Sequence, residues 1–449
     1  RLGSMLYRRC FSDAEKKSIV DEAFRLAADF GVESVQLADE IESRMSDYPQ
    51  GKMFRDSRIL LFGSREGALE TVAREMEAAG HDTVLEVDLD AVIHNYNHYR
   101  SLVPAGTGIV AMVKASAYGL GSVEIGKTLQ SHGAAYLAVA VIEEGIALRE
   151  AGITTPVMVL NPVTNRYRAL FDNNLEPAVF SEEELRRLID EAEAYGVSAY
   201  PVHIKLDTGM HRVGFTAGQL ECIYPLLRQT TAVRVRSVFS HLATADCLDM
   251  DSYTQSQIDT FHSLAAEIET RLGHPFLRHI LNTAGMMRFA SAGGYEMARL
   301  GIGLYGISPF EGPEAAGLQP VATFRSRIIS LKHWPDGTPI GYGCKGHTVG
   351  ADSLIATVPV GYADGVNRRL SNGGTSFVVN GVECPTIGNI CMDLCMIDVS
   401  AVPDVRIGDK VEIFGKAMPV ETVAAKLGTI PYEILTSVAP RVRRTYIKR

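Results

Sequence analysis

Two patterns along the chain predict an α/β fold with a second, β-rich domain. Between Gly108 and Arg299 short apolar runs alternate with amphipathic helical stretches, the rhythm of repeated βα units around a parallel sheet. Beyond about Gly317 the pattern changes to β-rich runs punctuated by turn sequences such as Pro335-Asp336-Gly337 and Asn380-Gly381. A third observation selects among parallel sheets: the apolar runs number eight, and eight βα units close into a (β/α)8 barrel. A doubly wound sheet suits the alternation too, but explains less well the polar residues that gather after the runs.

The eight runs are Ile109 to Val113, Tyr136 to Ala140, Pro156 to Leu160, Pro177 to Phe180, Ala199 to Leu206, Val233 to Phe239, Leu277 to Leu281 and Tyr295 to Arg299. Barrel enzymes place their chemistry at the carboxyl ends of the strands. Lys114 follows the first run, Asp207 and Arg212 the fifth, His241 the sixth, Asn282 and Thr283 the seventh, and Arg299 closes the eighth. Gly301, Gly303 and Gly306 then form a loop that suits close approach by a phosphate. The later β runs are Phe324 to Lys332, Leu354 to Val360, Ser376 to Val379, Leu394 to Val399 and Lys410 to Phe414. The Arg-rich end, Arg441-Val442-Arg443-Arg444, reads as local ion pairing or a solvated terminus. Ahead of the barrel, helices are expected over Asp13 to Phe30 and Val35 to Met45, with a strand-turn-helix at Ile59 to Arg65. The expected organisation is therefore an extension over 1–80, a barrel over 81–318 and a β domain over 319–449.

Composition bounds the function. The 449 residues are 46% hydrophobic and 22% charged, ordinary for a globular protein, and no segment approaches the ~20 uninterrupted apolar residues of a membrane span. A net charge of -9 with dispersed Lys and Arg argues against a nucleic-acid surface. The seven cysteines are scattered without a Cys-x-x-Cys pair or zinc spacing, so a reducing compartment, the cytoplasm, is expected and no metal site is. No secretory signal opens the chain.

One stretch carries the most chemistry. Gly108 to Val113 reads as a buried strand that delivers Lys114 into the small-residue turn Ala115-Ser116-Ala117-Tyr118-Gly119-Leu120-Gly121. A lysine at a strand end ordinarily points into water. Here the small neighbours leave room for a bulky ligand beside the amine, and a desolvated lysine has a lowered pKa and forms Schiff bases readily. A second stretch, Val202 to Phe215, ends a strand with Lys205, Asp207 and Arg212 in a glycine-punctuated loop. Taken alone it is a surface ion pair; at a barrel mouth it is a ligand clamp.

Val113 to Gly119 and Lys205 to Gly214 together resemble the signatures of the pyridoxal-phosphate-dependent alanine racemases. The resemblance runs from about Thr83 to the C-terminus and is supported by His241 to Asp246, Asn282 to Gly285, Arg299 to Gly306, Gly341-Tyr342-Gly343, Gly361 to Gly365 and Cys391-Met392-Asp393. It implies that Lys114 carries the cofactor covalently and that Tyr118, Thr283, Gly301, Ile302 and Tyr362 contact its phosphate, with Asn282 nearby. His241 would lie against the ring, Arg299 would face the pyridine nitrogen, and Arg212 would meet the phenolic oxygen and the substrate carboxylate. Lys205, which many family members carry carbamylated, would orient Arg212. Racemisation needs a proton acceptor on one face of the α-carbon and a donor on the other. By resemblance these are Lys114 and Tyr342, the tyrosine entering from the β domain of the partner in a homodimer, where Met392 and Asp393 line the carboxylate pocket. An ordinary tyrosine, with a pKa of about 10, is a weak base, so neighbours must favour its phenolate.

The sequence departs from the family pattern at Leu120, Asn389 and Pro440, where histidine, arginine and a gating tyrosine are common. These departures bear on entrance shape and substrate breadth. The segment Asp56 to Arg65 also resembles the C-terminal end of the Mur ligase that adds D-alanyl-D-alanine, a partner in known ligase–racemase fusions. No Gly-x-x-x-x-Gly-Lys-Ser/Thr loop accompanies it, so ATP chemistry is not expected. The implied activity is interconversion of L- and D-alanine for peptidoglycan synthesis. Two other readings stay open: a broad-specificity racemase or a decarboxylase on the same architecture, and a pyridoxal-phosphate carrier of similar barrel.

Overall fold

The computed structural model describes residues 83–162, 165–310 and 317–448. The helices expected over Asp13 to Phe30 and Val35 to Met45, the strand-turn-helix at Ile59 to Arg65 and the ligase likeness drawn from that region lie outside the described residues.

The chain starts with β1 (Val84–Asp88) and runs into α1 (Leu89–Ser101). Asp88 caps that helix, its Oδ1 accepting from the Asp90 and Ala91 amides at 3.0 Å each. The barrel strands follow as β2 (Gly108–Met112), β3 (Tyr136–Val139), β4 (Val157–Val159), β5 (Leu175–Val179), β6 (Tyr200–Lys205), β7 (Val233–Phe239), β8 (Leu277–His279) and β9 (Met297–Leu300). Each coincides with one of the eight expected runs. Neighbours pair in parallel from β2 through β8, and β9 pairs with β2. The ring closes where the Glu296 amide donates to Arg278 and the Arg299 amide to Leu281, at 3.1 and 3.0 Å. Strands β3 and β4 are buried at every position, as strands covered on both faces should be. The covering helices include α2 (Ser122–Ser131), α3 (Ile142–Glu150), α4 (Tyr167–Asp172), α5 (Glu182–Tyr195), α6 (Ala217–Gln229), α7 (Asp251–Leu272) and α8 (Thr283–Phe289). Their starts are readable in the sequence: Ser181 caps α5, and Thr216 with Gln219 forms a capping box on α6.

The second domain holds β10 (Ala322–Arg327), β11 (Ser330–Trp334), β12 (Pro339–Ile340), β13 (Gly346–His347), β14 (Ser353–Val358), β15 (Ser376–Val379), β16 (Val382–Ile387), β17 (Cys395–Asp398), β18 (Lys410–Phe414) and β19 (Arg443–Ile447), with helices α9 (Val420–Leu427) and α10 (Pro431–Ser437). Nine strands form one sheet in the order β11-β14-β17-β16-β15-β18-β10-β1-β19. The expected run Phe324 to Lys332 is two strands. The chain changes partner at Ile328-Ile329, leaving β18 and β1 for β14, with Ile328 buried and Ile329 exposed. The Asn380-Gly381 turn joins β15 to β16, both residues at positive φ as a tight hairpin requires.

The Arg-rich terminus shows the expected local ion pairing at Arg441, which holds Asp364 and Asp393 at 2.8 and 2.7 Å, and it does not end as a solvated tail. Arg443–Ile447 is a strand parallel to β1, so the first and last described strands lie side by side in one sheet. This end also grips the turn after Lys114. Arg444 donates through Nε to the Gly119 carbonyl at 2.9 Å and through Nη1 and Nη2 to Ala439, Val442 and Val438 at 2.5–2.7 Å. Tyr446 donates to the Leu120 carbonyl at 3.1 Å. Gly119 sits at φ 86°, and a Cβ there would come within 2.4 Å of the Leu435 carbonyl oxygen of α10, so only glycine allows the approach. Among the described residues no helix is long and apolar enough to cross a membrane.

Arg444→Met leaves four carbonyls without their shared donor. It should lower unfolding free energy by about 2–4 kcal/mol, measured from the denaturant midpoint.

Candidate active site

The carboxyl end of β2 sets the site. The Val113 amide donates to the Ala138 carbonyl at 2.9 Å, and the chain then turns sharply. Ala115, Ser116, Ala117 and Tyr118 all hold left-handed φ, from 51° to 56°. Non-glycine residues adopt that region at a cost of roughly 1–2 kcal/mol each, so something must hold them. Glu144, in the first turn of α3, does so on one side: its carboxylate accepts from the Ala115 amide at 2.6 Å and the Ala140 amide at 2.8 Å. The β domain does so on the other, through Arg444, Tyr446 and α10. The backbone that presents Lys114 is consequently fixed, and its side chain is partly buried. Burial lowers its pKa, the Arg212 charge lowers it further, and Glu144 opposes both.

Three groups meet near this lysine's turn. The Tyr118 ring lies 4.7 Å from Tyr305 and 5.7 Å from Tyr432 of α10. The Gly301 amide donates to Thr283 Oγ1 at 3.0 Å. A Cβ on Gly301 would sit 3.2 Å from the Tyr118 hydroxyl and 3.5 Å from Thr283 Oγ1, so a bare stretch of backbone faces two hydroxyls. Ile302 follows, buried, in a short 3-10 turn. Asn282 is occupied structurally: its Oδ1 accepts from the Gly285 amide at 2.9 Å as the cap of α8, and its Nδ2 donates to Leu242 at 3.3 Å.

Arg299 is buried in the barrel. Its Nη1 donates to His279 Nδ1 at 2.8 Å and the His279 carbonyl at 3.1 Å; its Nη2 reaches the Ser240 carbonyl at 2.5 Å, Ile280 at 3.2 Å and His241 Nδ1 at 3.3 Å. All of these acceptors are neutral. His241 stays uncharged as a result, its pKa pushed down to about 3 by burial and then by Arg299, Arg212, Lys205 and Lys114. Lys205 is buried, and burial with the Arg212 and Arg299 charges lowers its pKa to about 8. Arg212 stands exposed in the loop that Asp207 shapes by accepting from the Gly209 and His211 amides at 3.1 and 2.9 Å.

The remaining expected residues lie together on the β domain. Tyr342 is 72% exposed and Met392 53%, large values for such side chains. The Asn389 Nδ2 donates to the Tyr342 carbonyl at 2.8 Å. Asp393 pairs with Arg441 at 2.7 Å, and Arg441 also holds the buried Asp364 at 2.8 Å. Tyr362 belongs with this group: its amide donates to Cys391 at 3.1 Å and the next amide to Met392 at 3.0 Å, while its ring is half exposed. Glu144, Tyr305 and Tyr432 were not readable as site residues. Glu144 looks like any acid in a helix's first turn, and nothing near Tyr432 in the sequence links it to Tyr118.

Lys114, Lys205, Arg212 and Arg299 give this end of the barrel four cationic groups, while Glu144 and Asp207 are the carboxylates coupled to its lysines. Such a site takes anions. A lysine with a depressed pKa beside two hydroxyls and a bare glycine backbone fits a phosphorylated aldehyde, with the amine at one end and the hydroxyls at the other. Lysine-directed labelling read by mass spectrometry tests the coupling. Arg212→Leu removes a neighbouring positive charge, so the pH at which Lys114 begins to react should move upward in the cofactor-free protein.

Residues 87–309 match the alanine racemase N-terminal domain family and residues 321–446 the alanine racemase C-terminal domain family. A curated alanine racemase from Desulfovibrio desulfuricans is 37% identical over 369 residues, covering 81% of this chain and 97% of its own. One from Halothermothrix orenii is 38% identical over 371 residues, covering 81% and 96%. Among solved structures, alanine racemase from Clostridium difficile superposes with a TM-score of 0.77 at 32% identity, covering 82% of this chain and 96% of its own. That from Bartonella henselae, with covalently bound pyridoxal phosphate, gives 0.73 at 27% identity, covering 82% and 100%. The chain belongs to the pyridoxal-phosphate-dependent alanine racemase family.

Proposed function

We propose that this protein interconverts L- and D-alanine using two bases on opposite faces of the substrate, supplying D-alanine for peptidoglycan in the cytoplasm. The observation that carries the reading is Lys114, an amine with a lowered pKa held at the carboxyl end of the first barrel strand. Pyridoxal phosphate, when bound, draws electrons from the substrate α-carbon and makes its proton removable. Lys114 holds the cofactor's aldehyde carbon. Tyr118, Thr283, Gly301 and Ile302 hold its phosphate, and Asn282 fixes the turn that presents Thr283. His241, uncharged, lies on the ring, and Arg299 meets the ring nitrogen. A guanidinium only donates, so Arg299 leaves that nitrogen without an added proton and limits transamination.

Arg212 binds the substrate carboxylate. Lys205, with a pKa near 8, has a neutral fraction at cellular pH, and its carbamylation would replace a cation beside Arg212 with an anion. The exposed Tyr342 and Met392 suit insertion into the barrel mouth of a second copy, so the working unit is a homodimer. Arg441 holds Asp393 and with it the loop that presents Met392. Tyr362, whose ring is half exposed on the β domain, adds a further phosphate contact. The organisation that goes with this reading is an extension over 1–80, the barrel over 81–318 and the β domain over 319–449, the extension being a remnant of a Mur ligase.

Lys114→Ala should abolish the borohydride-reducible adduct with pyridoxal phosphate; a surviving adduct would mean another amine holds the cofactor. Tyr342→Phe should slow α-proton exchange from one alanine enantiomer far more than from the other, and equal losses would contradict two bases. Chiral analysis of L-alanine, L-serine and L-arginine incubated with protein and cofactor should show racemisation of alanine above the others.

A further inference from the structure

A line of hydrogen bonds crosses the barrel interior and uses one residue from each of five successive strands. Arg299 of β9 donates from Nη1 to His279 Nδ1 of β8 at 2.8 Å. His279 Nε2 lies 2.9 Å from Ser237 Oγ of β7, and Ser237 Oγ lies 2.6 Å from His203 Nδ1 of β6. His203 Nε2 lies 3.0 Å from Glu176 Oε2 of β5. His203, Ser237 and His279 are fully buried, and Arg299 nearly so. Glu176 is fixed at its own end by the Tyr136 hydroxyl at 3.0 Å, which in turn accepts from Arg236 Nε at 3.1 Å.

With both imidazoles neutral, the protons in this line have one consistent arrangement. A guanidinium has donors and no acceptor, so His279 must present an unprotonated Nδ1 and carry its proton on Nε2. That N–H donates to Ser237, whose own hydroxyl proton then goes to His203 Nδ1. His203 therefore carries its proton on Nε2 and donates to the Glu176 carboxylate, which only accepts. A cation at one end and an anion at the other polarise every link in the same direction. Reversing the line would put an N–H of His279 against an N–H of Arg299.

We propose that Glu176 is a positioning residue for Arg299: acting through His203, Ser237 and His279, its negative charge polarises the line that keeps the guanidinium aimed and charged. Its relevance to the reaction rests on the reading that Arg299 meets the cofactor's ring nitrogen. None of the four groups behind Arg299 touches the substrate or the cofactor in that reading. Their role is to set how firmly one buried arginine donates.

The test is nitrogen-15 NMR of the histidine-labelled holoenzyme, with the absorption spectrum of its bound cofactor recorded alongside. In the parent protein His203 and His279 should both show an unprotonated Nδ1 and a protonated Nε2. Glu176→Gln keeps the shape and removes the charge. It should weaken the polarisation of the line and move the nitrogen-15 shifts of both histidines while Arg299 keeps the His279 tautomer, shift the cofactor absorption and raise ketone formation per racemisation turnover about tenfold, the scale of one charge-assisted hydrogen bond. Ser237→Ala, a second way to cut the line, should change His279 in the same sense. A protonated Nδ1 on His279 in the parent, or both variants leaving His279 as it was, overturns the proposal. A changed His279 signal with an unaltered cofactor spectrum upholds the line and contradicts the placement of Arg299 at the ring.

Discussion

The whole site follows from crowding like charges into one end of a barrel. Burial makes Lys114 and Lys205 harder to protonate, and the neighbouring charges of Arg212 and, for Lys205, Arg299 add to it. The consequences differ by residue. Arginine keeps its charge and the imidazole of His241 stays neutral, while the lysines move toward the uncharged form that nucleophilic and proton-transfer chemistry needs. The same excess of positive charge draws in ligands with a phosphate at one end and a carboxylate at the other. Binding and reactivity thus come from a single arrangement.

That arrangement depends on both domains. The left-handed turn after Lys114 is held by Glu144 from the barrel and by Arg444, Tyr446 and α10 from the β domain. The last strand of the chain therefore stabilises the first catalytic turn. Because β19 pairs with β1, and β1 leads directly into α1, the two ends of the described chain are joined in the sheet that supports the site. Tyr342 and Met392, by contrast, stand out from their own β domain and leave their largest surfaces uncovered.

The barrel was legible because strands buried on both faces read as uninterrupted apolar runs. That signal serves β3 and β4 fully; β6, β7 and β8 carry polar residues, and the exposed arginines of β7 alternate with buried valines. Strands β1 and β19 were not legible, since Val84–Asp88 carries two acids and Arg443–Ile447 opens with two arginines; edge and half-covered strands keep their polar residues in water. The break at Ile328-Ile329 was invisible because both residues are apolar, and only the change of partner separates β10 from β11. In the site, Lys114, Arg299 and His241 were legible from their places at strand ends. The neighbours of Tyr362 were not legible, because they are set by the pairing of two distant loops. His203 and Ser237 looked like strand residues with no task, and their alignment across β6 and β7 exists only in the closed barrel.

The central claim is that two different groups serve the two faces of the α-carbon, each exchanging its proton with solvent. Proton NMR of L-alanine turnover in deuterium oxide at early times tests it most directly. D-alanine formed first should carry deuterium at the α-carbon while the remaining L-alanine keeps its protium. Protium retained in the new D-alanine would mean that one group carries the same proton across, and would contradict the account.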